Sequence, residues 1–339
     1  MTLDPREVLE ALLAGHSLGT AEARGLAHAL ADDTIEPAMA GALLAALRGK
    51  GESAEEVRGL AQGLRELATT PDFDTPPHAC DIVGTGGDGS NSYNISTGGA
   101  LLAAAAGATI VKHGNRSISS RSGAADLLAA LGVGVPMANP AQALRETGFV
   151  YLHAPAYHPA MARIAPIRKA MGVRTVFNIL GPLTNPGQPR FAVIGAYSPE
   201  MAELMARALS GMTIERAFVV HGEPGWDEAT PVGPFLLFDV REGSVQHTQR
   251  DPRDAGIARC DADDLRGGTP AENADALRRV MKGEDQGPHR DALALTAGLA
   301  MEVTGAASDL ASGIAMARSA IDDGRASEQL ATLARVAGT

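Results

Sequence analysis

The 339-residue chain contains two cysteines, Cys80 and Cys260, one tryptophan and only 4% aromatic residues. Two thiols make neither a disulfide framework nor a CxxC zinc site. So few rings beside 39 glycines speak against a β-sandwich and for closely packed helices joined by glycine loops. Positive charge is also scarce: 29 Lys and Arg against 40 Asp and Glu leave a net charge of −11. Proteins that hold nucleic acid in bulk are normally basic, so no nucleic-acid partner is expected. No apolar run reaches ~18 residues, which excludes a helical membrane span. Met1 through Glu7 has neither the basic nor the apolar segment of a secretory leader. The expectation is a cytoplasmic protein with no membrane partner.

The length suits one large or two ordinary domains and is ample for a sizeable core. Residues 1–70 read as helices only. Asp4 can cap a helix with Pro5 at its first position, Thr20 and Thr34 are further N-cap candidates, and Ser53 with Glu56 forms a capping box. Leu43, Leu44 and Leu47 recur at helical spacing. Pro71 to Pro77 reads as a linker, because its prolines interrupt the helical pattern. Beyond it, short buried runs read as strands: Ile82-Val83, Thr109–Val111, Phe149–Leu152, Phe191–Ile194 and Ala217–Val220. Helical stretches such as Ala100–Ala106, Ala124–Leu131 and Glu200–Leu209 lie between them. That alternation predicts an α/β fold with a mostly parallel sheet. Phe235–Phe238 and Ser244–Gln246 suit an antiparallel addition, and the tail from Ala271 is mostly helical. Tyr157 to Pro189 breaks the rhythm with five prolines and with Arg163, Arg168, Lys169 and Arg174, as an excursion back to the helical part would. The expected division is 1–70 with roughly 157–184 as a helical domain, and 74–156 with 185–339 as the α/β domain.

The chemistry concentrates where acids are missing. From Gly89 to Ala125 there is no Asp or Glu, although the chain carries 40 of them. The same window holds Lys112, His113, Arg116 and Arg121, with hydroxyls from Ser90 to Ser122. Cations with many small donors and free backbone N–H groups are what a polyphosphate needs. The plainer alternative is a solvated polar loop, but these groups cluster at two strand ends, where open α/β sheets bind ligands. Gly84-Thr85-Gly86-Gly87-Asp88-Gly89 formally matches the dinucleotide fingerprint, yet the acid expected ~20 residues on is replaced by Lys112. No Gly-Lys-Ser/Thr follows, so it is no Walker A loop either. What stands is a glycine turn that lets backbone approach a phosphate, followed by a helix start at Asn94-Ile95-Ser96-Thr97 that favours an anion. A third loop carries Asp227-Glu228; beside a phosphate cradle, adjacent carboxylates suggest Mg²⁺.

Four segments together resemble the anthranilate phosphoribosyltransferase family. They are Gly84–Asp88, Asn94–Thr97, Lys112–Arg116, and Phe177-Asn178-Ile179-Leu180-Gly181-Pro182-Leu183-Thr184-Asn185-Pro186. The resemblance runs nearly end to end. It implies a small helical domain on a larger α/β domain of the nucleoside phosphorylase/phosphoribosyltransferase class III type, hinge closure, and a homodimer formed through the helical domains. It implies transfer of a phosphoribosyl group from 5-phosphoribosyl 1-diphosphate to anthranilate in tryptophan biosynthesis, with Mg²⁺, two ions per subunit, as cofactor. Carried over residue by residue, Gly84, Gly87 and Asp88 form the substrate turn. Asn94, Ser96 and Thr97 bind the diphosphate, and Ser92 and Ile95 count among the substrate-binding residues beside them. Lys112, His113, Gly114, Asn115, Arg116, Ser117, Ile118, Ser119 and Ser120 wrap the sugar diphosphate. Asn115 and Arg168 hold anthranilate, and Ser96, Asp227 and Glu228 hold the metal. Lys112 and His113 are the expected catalytic pair, His113 by positioning rather than as a base. Departures from the family pattern are Ser92-Tyr93, Ala124 and Thr296. Two other readings share parts of this pattern: a pyrimidine nucleoside phosphorylase, which would carry a Lys-x-Ser motif after the glycine turn, and a non-catalytic nucleic-acid-binding relative, which the −11 charge disfavours.

Overall fold

The computed structural model describes residues 4–32, 35–116 and 121–338. Four helices come first: α1 (Pro5–Leu13), α2 (Thr20–Ala31), α3 (Pro37–Lys50) and α4 (Ala54–Glu66). Asp4 caps α1 by accepting from the Arg6 N–H at 2.8 Å. Ser53 and Glu56 cap α4 reciprocally, and the buried Glu56 carboxylate also takes the Leu18 N–H and the Lys50 ammonium. Thr20 is the first residue of α2 rather than its cap, because Gly19 takes that place and its N–H is satisfied by Glu22. Thr34 lies outside the described residues.

The rest is built on seven strands: β1 (Ala79–Gly84), β2 (Thr109–Gly114), β3 (Phe149–His153), β4 (Phe191–Gly195), β5 (Arg216–Gly222), β6 (Phe235–Arg241) and β7 (Ser244–Arg250). Their spatial order is β3-β2-β1-β4-β5-β6-β7. The first five run parallel and the last two are antiparallel additions. Every strand anticipated from the β-branched runs is present, because those runs are buried on both faces as a parallel sheet requires. Intervening helices are α5 (Ile95–Ala105), α6 (Ala124–Ala130), α7 (Pro140–Thr147), α8 (Ala154–Tyr157), α9 (Met161–Met171), α10 (Phe177–Leu180) and α11 (Pro199–Leu209). Four more close the chain: α12 (Pro270–Met281), α13 (Pro288–Val303), α14 (Leu310–Asp322) and α15 (Arg325–Ala337).

Two apolar clusters sandwich the sheet. One joins α5, α13 and their neighbours to one face. The other joins α1–α4 to the opposite face through α11, and it includes Ile164, Val176, Phe177 and Leu183 of the proline-rich excursion. Arg163 donates to the Ile35 carbonyl at 2.7 Å, and Arg48 donates to the Arg174 carbonyl. The excursion thus leaves the α/β chain and packs on the first helices. The reversal of strand order at β1/β4 opens a crevice at the carboxyl ends of the strands, where α/β sheets place ligands.

Candidate active site

A cleft of about 750 Å³ opens at that crevice. One wall is made of strand ends and the other of the excursion. Gly84, Gly87, Asp88, Ser92, Asn94, Ser96, Lys112, His113, Gly114, Asn115, Arg116, Arg168, Asp227 and Glu228 all line it. The turn after β1 places Gly86, Gly87 and Gly89 at φ of 69°, 73° and 80°, a region where a side chain is strained. This turn lines the cleft from Gly84 to Gly89.

The acidic loop is seated by glycines. The side chain of Asp227 accepts from the Gly86 N–H at 2.6 Å, and its own N–H donates to Asp88 at 3.3 Å. Glu228 accepts from the Ser92 hydroxyl at 2.9 Å and from the Ser96 N–H at 3.0 Å, at the start of α5. The chain's own Glu228 carboxyl group therefore already occupies the helix N-terminus. Glycines at the ends of β1, β4 and β5 make room for this loop. A Cβ on Gly84 would lie 2.3 Å from the Asp227 carboxylate, one on Gly195 would lie 1.5 Å from the Asp227 carbonyl oxygen, and one on Gly222 would lie 2.0 Å from that of Glu228. Burial, then repulsion from Asp88, raises the Asp227 carboxyl; burial, then repulsion from Asp227, raises Glu228. Such a pair is short of positive charge. Among the described residues no three His, Cys, Asp or Glu converge as a ready-made metal cage. Two carboxylates open to a cleft fit Mg²⁺, which takes one or two protein carboxylates and completes its shell with water and substrate phosphates.

Lys112 is almost fully buried at the end of β2 and donates to the Ile82 carbonyl. Burial lowers its pKa, while the carboxylates of Asp81, Glu228 and Asp227 favour its charge. His113 is buried too. Its Nδ1 meets the Gly181 carbonyl at 3.3 Å, and its Nε2 has no hydrogen-bond partner among the described residues. Burial, and next the neighbouring His158, pushes its pKa down to about 3, so the ring is neutral and a poor base. Beneath the pair, Asp81 accepts from the His113 N–H and from Asn185 at 3.2 and 2.8 Å. Across the cleft, Arg168 on α9 lies 5.5 Å over the Phe177 ring and pairs with no carboxylate among the described residues.

Some expected contacts fall elsewhere. Ile95 and Thr97 do not line the cleft. They are buried on the core side of α5, since consecutive helical residues cannot all face one way. The amide of Asn94 is committed to Ser122 and Asn273. The Arg116 guanidinium is paired with Asp126 at 2.8 Å, at the cleft margin. Ser117, Ile118, Ser119 and Ser120 lie outside the described residues. Trp226 is buried in the core beside the acidic loop, in keeping with a packing role. The structure also adds residues. Arg174 donates to the Gly87 carbonyl at 2.6 Å while stacked 4.6 Å over Tyr197, tying the excursion to the glycine turn. His158 and Asn178 line the excursion side. An arginine in a proline-rich excursion was the only sequence signal for that tie; nothing marked Tyr197 or Asn273.

Residues 6–68 match the helical bundle domain of a glycosyl transferase family, and residues 76–327 match that family's a/b domain. The chain therefore belongs to this glycosyl transferase family. Within it, the chain belongs to the anthranilate phosphoribosyltransferases. It is 46% identical over 328 residues to the anthranilate phosphoribosyltransferase of Chloroflexus aurantiacus, covering 96% of each chain. It is 44% identical to that of Desulforudis audaxviator, covering 97% of this chain and 95% of the relative. The crystal structure of the Thermus thermophilus enzyme superposes with a TM-score of 0.91 at 40% identity, covering 97% and 98%. The Saccharomyces cerevisiae enzyme in complex with PRPP and Mg superposes with a TM-score of 0.87 at 27% identity, covering 98% and 97%.

Proposed function

We propose that this chain transfers the 5-phosphoribosyl group from 5-phosphoribosyl 1-diphosphate to the amino nitrogen of anthranilate, a step of tryptophan biosynthesis, in the cleft described above. One observation carries the assignment of parts. A glycine turn, Lys112 and a buried acidic pair face Arg168, which pairs with no carboxylate among the described residues, across one cavity. The glycine turn and the α5 start receive the diphosphate, and Lys112 supports it from below. Arg168 takes the anthranilate carboxylate, to which its planar fork of donors is matched. Asp227 and Glu228 hold Mg²⁺ with Ser96 at their side; two ions per subunit is our reading. When bound, the metal supplies positive charge that eases departure of the diphosphate.

The bond from ribose C1 to the diphosphate oxygen breaks, and a bond from C1 to the aniline nitrogen forms. The nitrogen then gives up a proton to water or to the departing diphosphate, readily once it is bonded to C1. The neutral His113 is not needed to take that proton before bond making. Its unpartnered Nε2 is placed to hydrogen-bond and orient a ligand. The chain's main contribution is preorganised charge and alignment of the amine on C1. The helical part, 1–70 with 157–184, acts as a unit that closes on the α/β part and limits hydrolysis of the activated sugar.

We further assign a homodimer contact to the groove between α1 and α3. Leu13, 66% exposed, stands beside Leu9, Leu12, Ala42 and Ala46 there. No helix among the described residues is long and apolar enough to cross a membrane. Incubation with anthranilate, 5-phosphoribosyl 1-diphosphate and Mg²⁺ tests the reaction. Loss of anthranilate fluorescence with release of diphosphate supports it. No loss, together with phosphorolysis of thymidine, would replace it with the nucleoside phosphorylase reading.

A further inference from the structure

Asn94, the residue before α5, has φ 66° and ψ 47°, the left-handed conformation. Asparagine enters that region more readily than most residues, but still at a cost that its surroundings must offset. Its surroundings are specific. Its Nδ2 donates to the Ser122 carbonyl at 2.9 Å, and its Oδ1 accepts from Nδ2 of Asn273 at 2.8 Å. Asn273 sits on α12, is 2% exposed, and accepts in turn from the Gly268 N–H at 2.7 Å. The segment leading to α12 is stitched to the same loop: the Gly267 N–H donates to the Asn91 carbonyl at 2.7 Å, and Ser92 bridges to Arg266. Asn273 does not line the cleft; its side chain reaches the site through Asn94 and, by way of Gly268, through the segment stitched to Asn91 and Ser92.

The conformation of Asn94 sets the direction of the first turn of α5. Its carbonyl accepts from the N–H groups of Thr97 and Gly98, both at 3.0 Å, while the Ser96 N–H donates to the Glu228 carboxylate. Its side chain also fixes Ser122, just beyond the segment 117–120. We propose that Asn273 is a positioning residue for diphosphate binding, holding Asn94 in the left-handed conformation so that the α5 start with its Glu228 and the Ser122 end of the neighbouring loop keep their places around the diphosphate cleft. This rests on the functional reading above and deepens it.

Asn273→Asp tests the inference. The aspartate keeps an acceptor for Gly268 but removes the donor to Asn94. It should weaken binding of inorganic diphosphate with Mg²⁺, measured by calorimetry, about tenfold. The KM for 5-phosphoribosyl 1-diphosphate should rise by a similar factor, with that for anthranilate nearly unchanged. Glycine adopts the left-handed conformation unaided. In an Asn94→Gly background, Asn273→Asp should therefore cost little more than Asn94→Gly alone. Asn273→Ala, with the same pattern expected, serves if the aspartate variant does not fold. Diphosphate binding unchanged in Asn273→Asp, both KM values rising together, or a full penalty in the glycine background would overturn the proposal. A wild-type protein that neither binds diphosphate nor turns over would instead overturn the functional reading beneath it.

Discussion

Replacing Gly195 with alanine adds one methyl group at a place where the structure leaves no room for it. The new Cβ would lie 1.5 Å from the Asp227 carbonyl oxygen and 2.5 Å from its carbonyl carbon. Even close C–H···O contacts sit at about 3.3 Å, so the carbonyl must withdraw by roughly 2 Å. Gly195 ends β4 at the centre of the sheet and pairs with both β1 and β5, so the strand is the less yielding partner. The loop moves, and the Asp227 carboxylate leaves the Gly86 N–H that it holds at 2.6 Å. Overpacking of this kind costs about 1–3 kcal/mol, which lowers the melting temperature of a chain this size by only several degrees. A carboxylate displaced by more than an ångström costs activity on the order of 10²-fold. The protein should therefore stay folded, while activity falls about a hundredfold and needs more Mg²⁺ to reach half its maximum. Circular dichroism melting and a Mg²⁺ titration of anthranilate consumption separate the two effects. A variant with wild-type turnover and wild-type Mg²⁺ dependence would refute the claim that these glycines seat the acidic loop proposed to hold the metal.

Arg168→Ala should raise the KM for anthranilate by roughly 10–100-fold, the loss of one charge-assisted pair, with little change for the sugar diphosphate; equal effects on both would refute its assignment to the carboxylate. His113 titrates at about 3 in the folded chain against an ordinary 6.5, so the unfolded state binds its proton first. Stability is thus whole above pH 6.5 and falls as pH drops toward 3, by at most about 1.4 kcal/mol per unit. Urea unfolding at several acidic pH values should show a shallower decline for His113→Gln; parallel declines would contradict the buried neutral imidazole. Leu13→Asp should shift the mass seen by light scattering from dimer to monomer, and an unchanged mass would remove the α1/α3 groove as the contact.

The five parallel strands were legible because each is a short, largely buried apolar run set between helical stretches, while the antiparallel β6 and the mostly exposed β7 showed only as two short runs after them. The glycine turn was legible because positive φ at three nearby positions selects glycine strongly. Lys112 and the Asp227-Glu228 pair stood out by charge contrast with their surroundings. Ile95 and Thr97 were misplaced because a motif marks a helix start without saying which residues on it turn inward. Arg174, Asn273 and Gly195 were not assigned roles for a different reason. Each acts across a fold contact more than 30 positions away in the chain, with Gly87, Asn94 and Asp227 respectively. Such partners become visible only once the strands and helices are docked.

The central claim is that one cleft joins a diphosphate cradle to a metal held by Asp227 and Glu228. A crystal grown with 5-phosphoribosyl 1-diphosphate and Mn²⁺ in place of Mg²⁺ reads both halves at once, because manganese is located by its anomalous scattering. The account predicts a manganese peak within coordinating distance of those carboxylates, with the diphosphate against the Gly86-Gly87 turn and the start of α5. Manganese bound away from both carboxylates, or a diphosphate lodged outside this cleft, would contradict it.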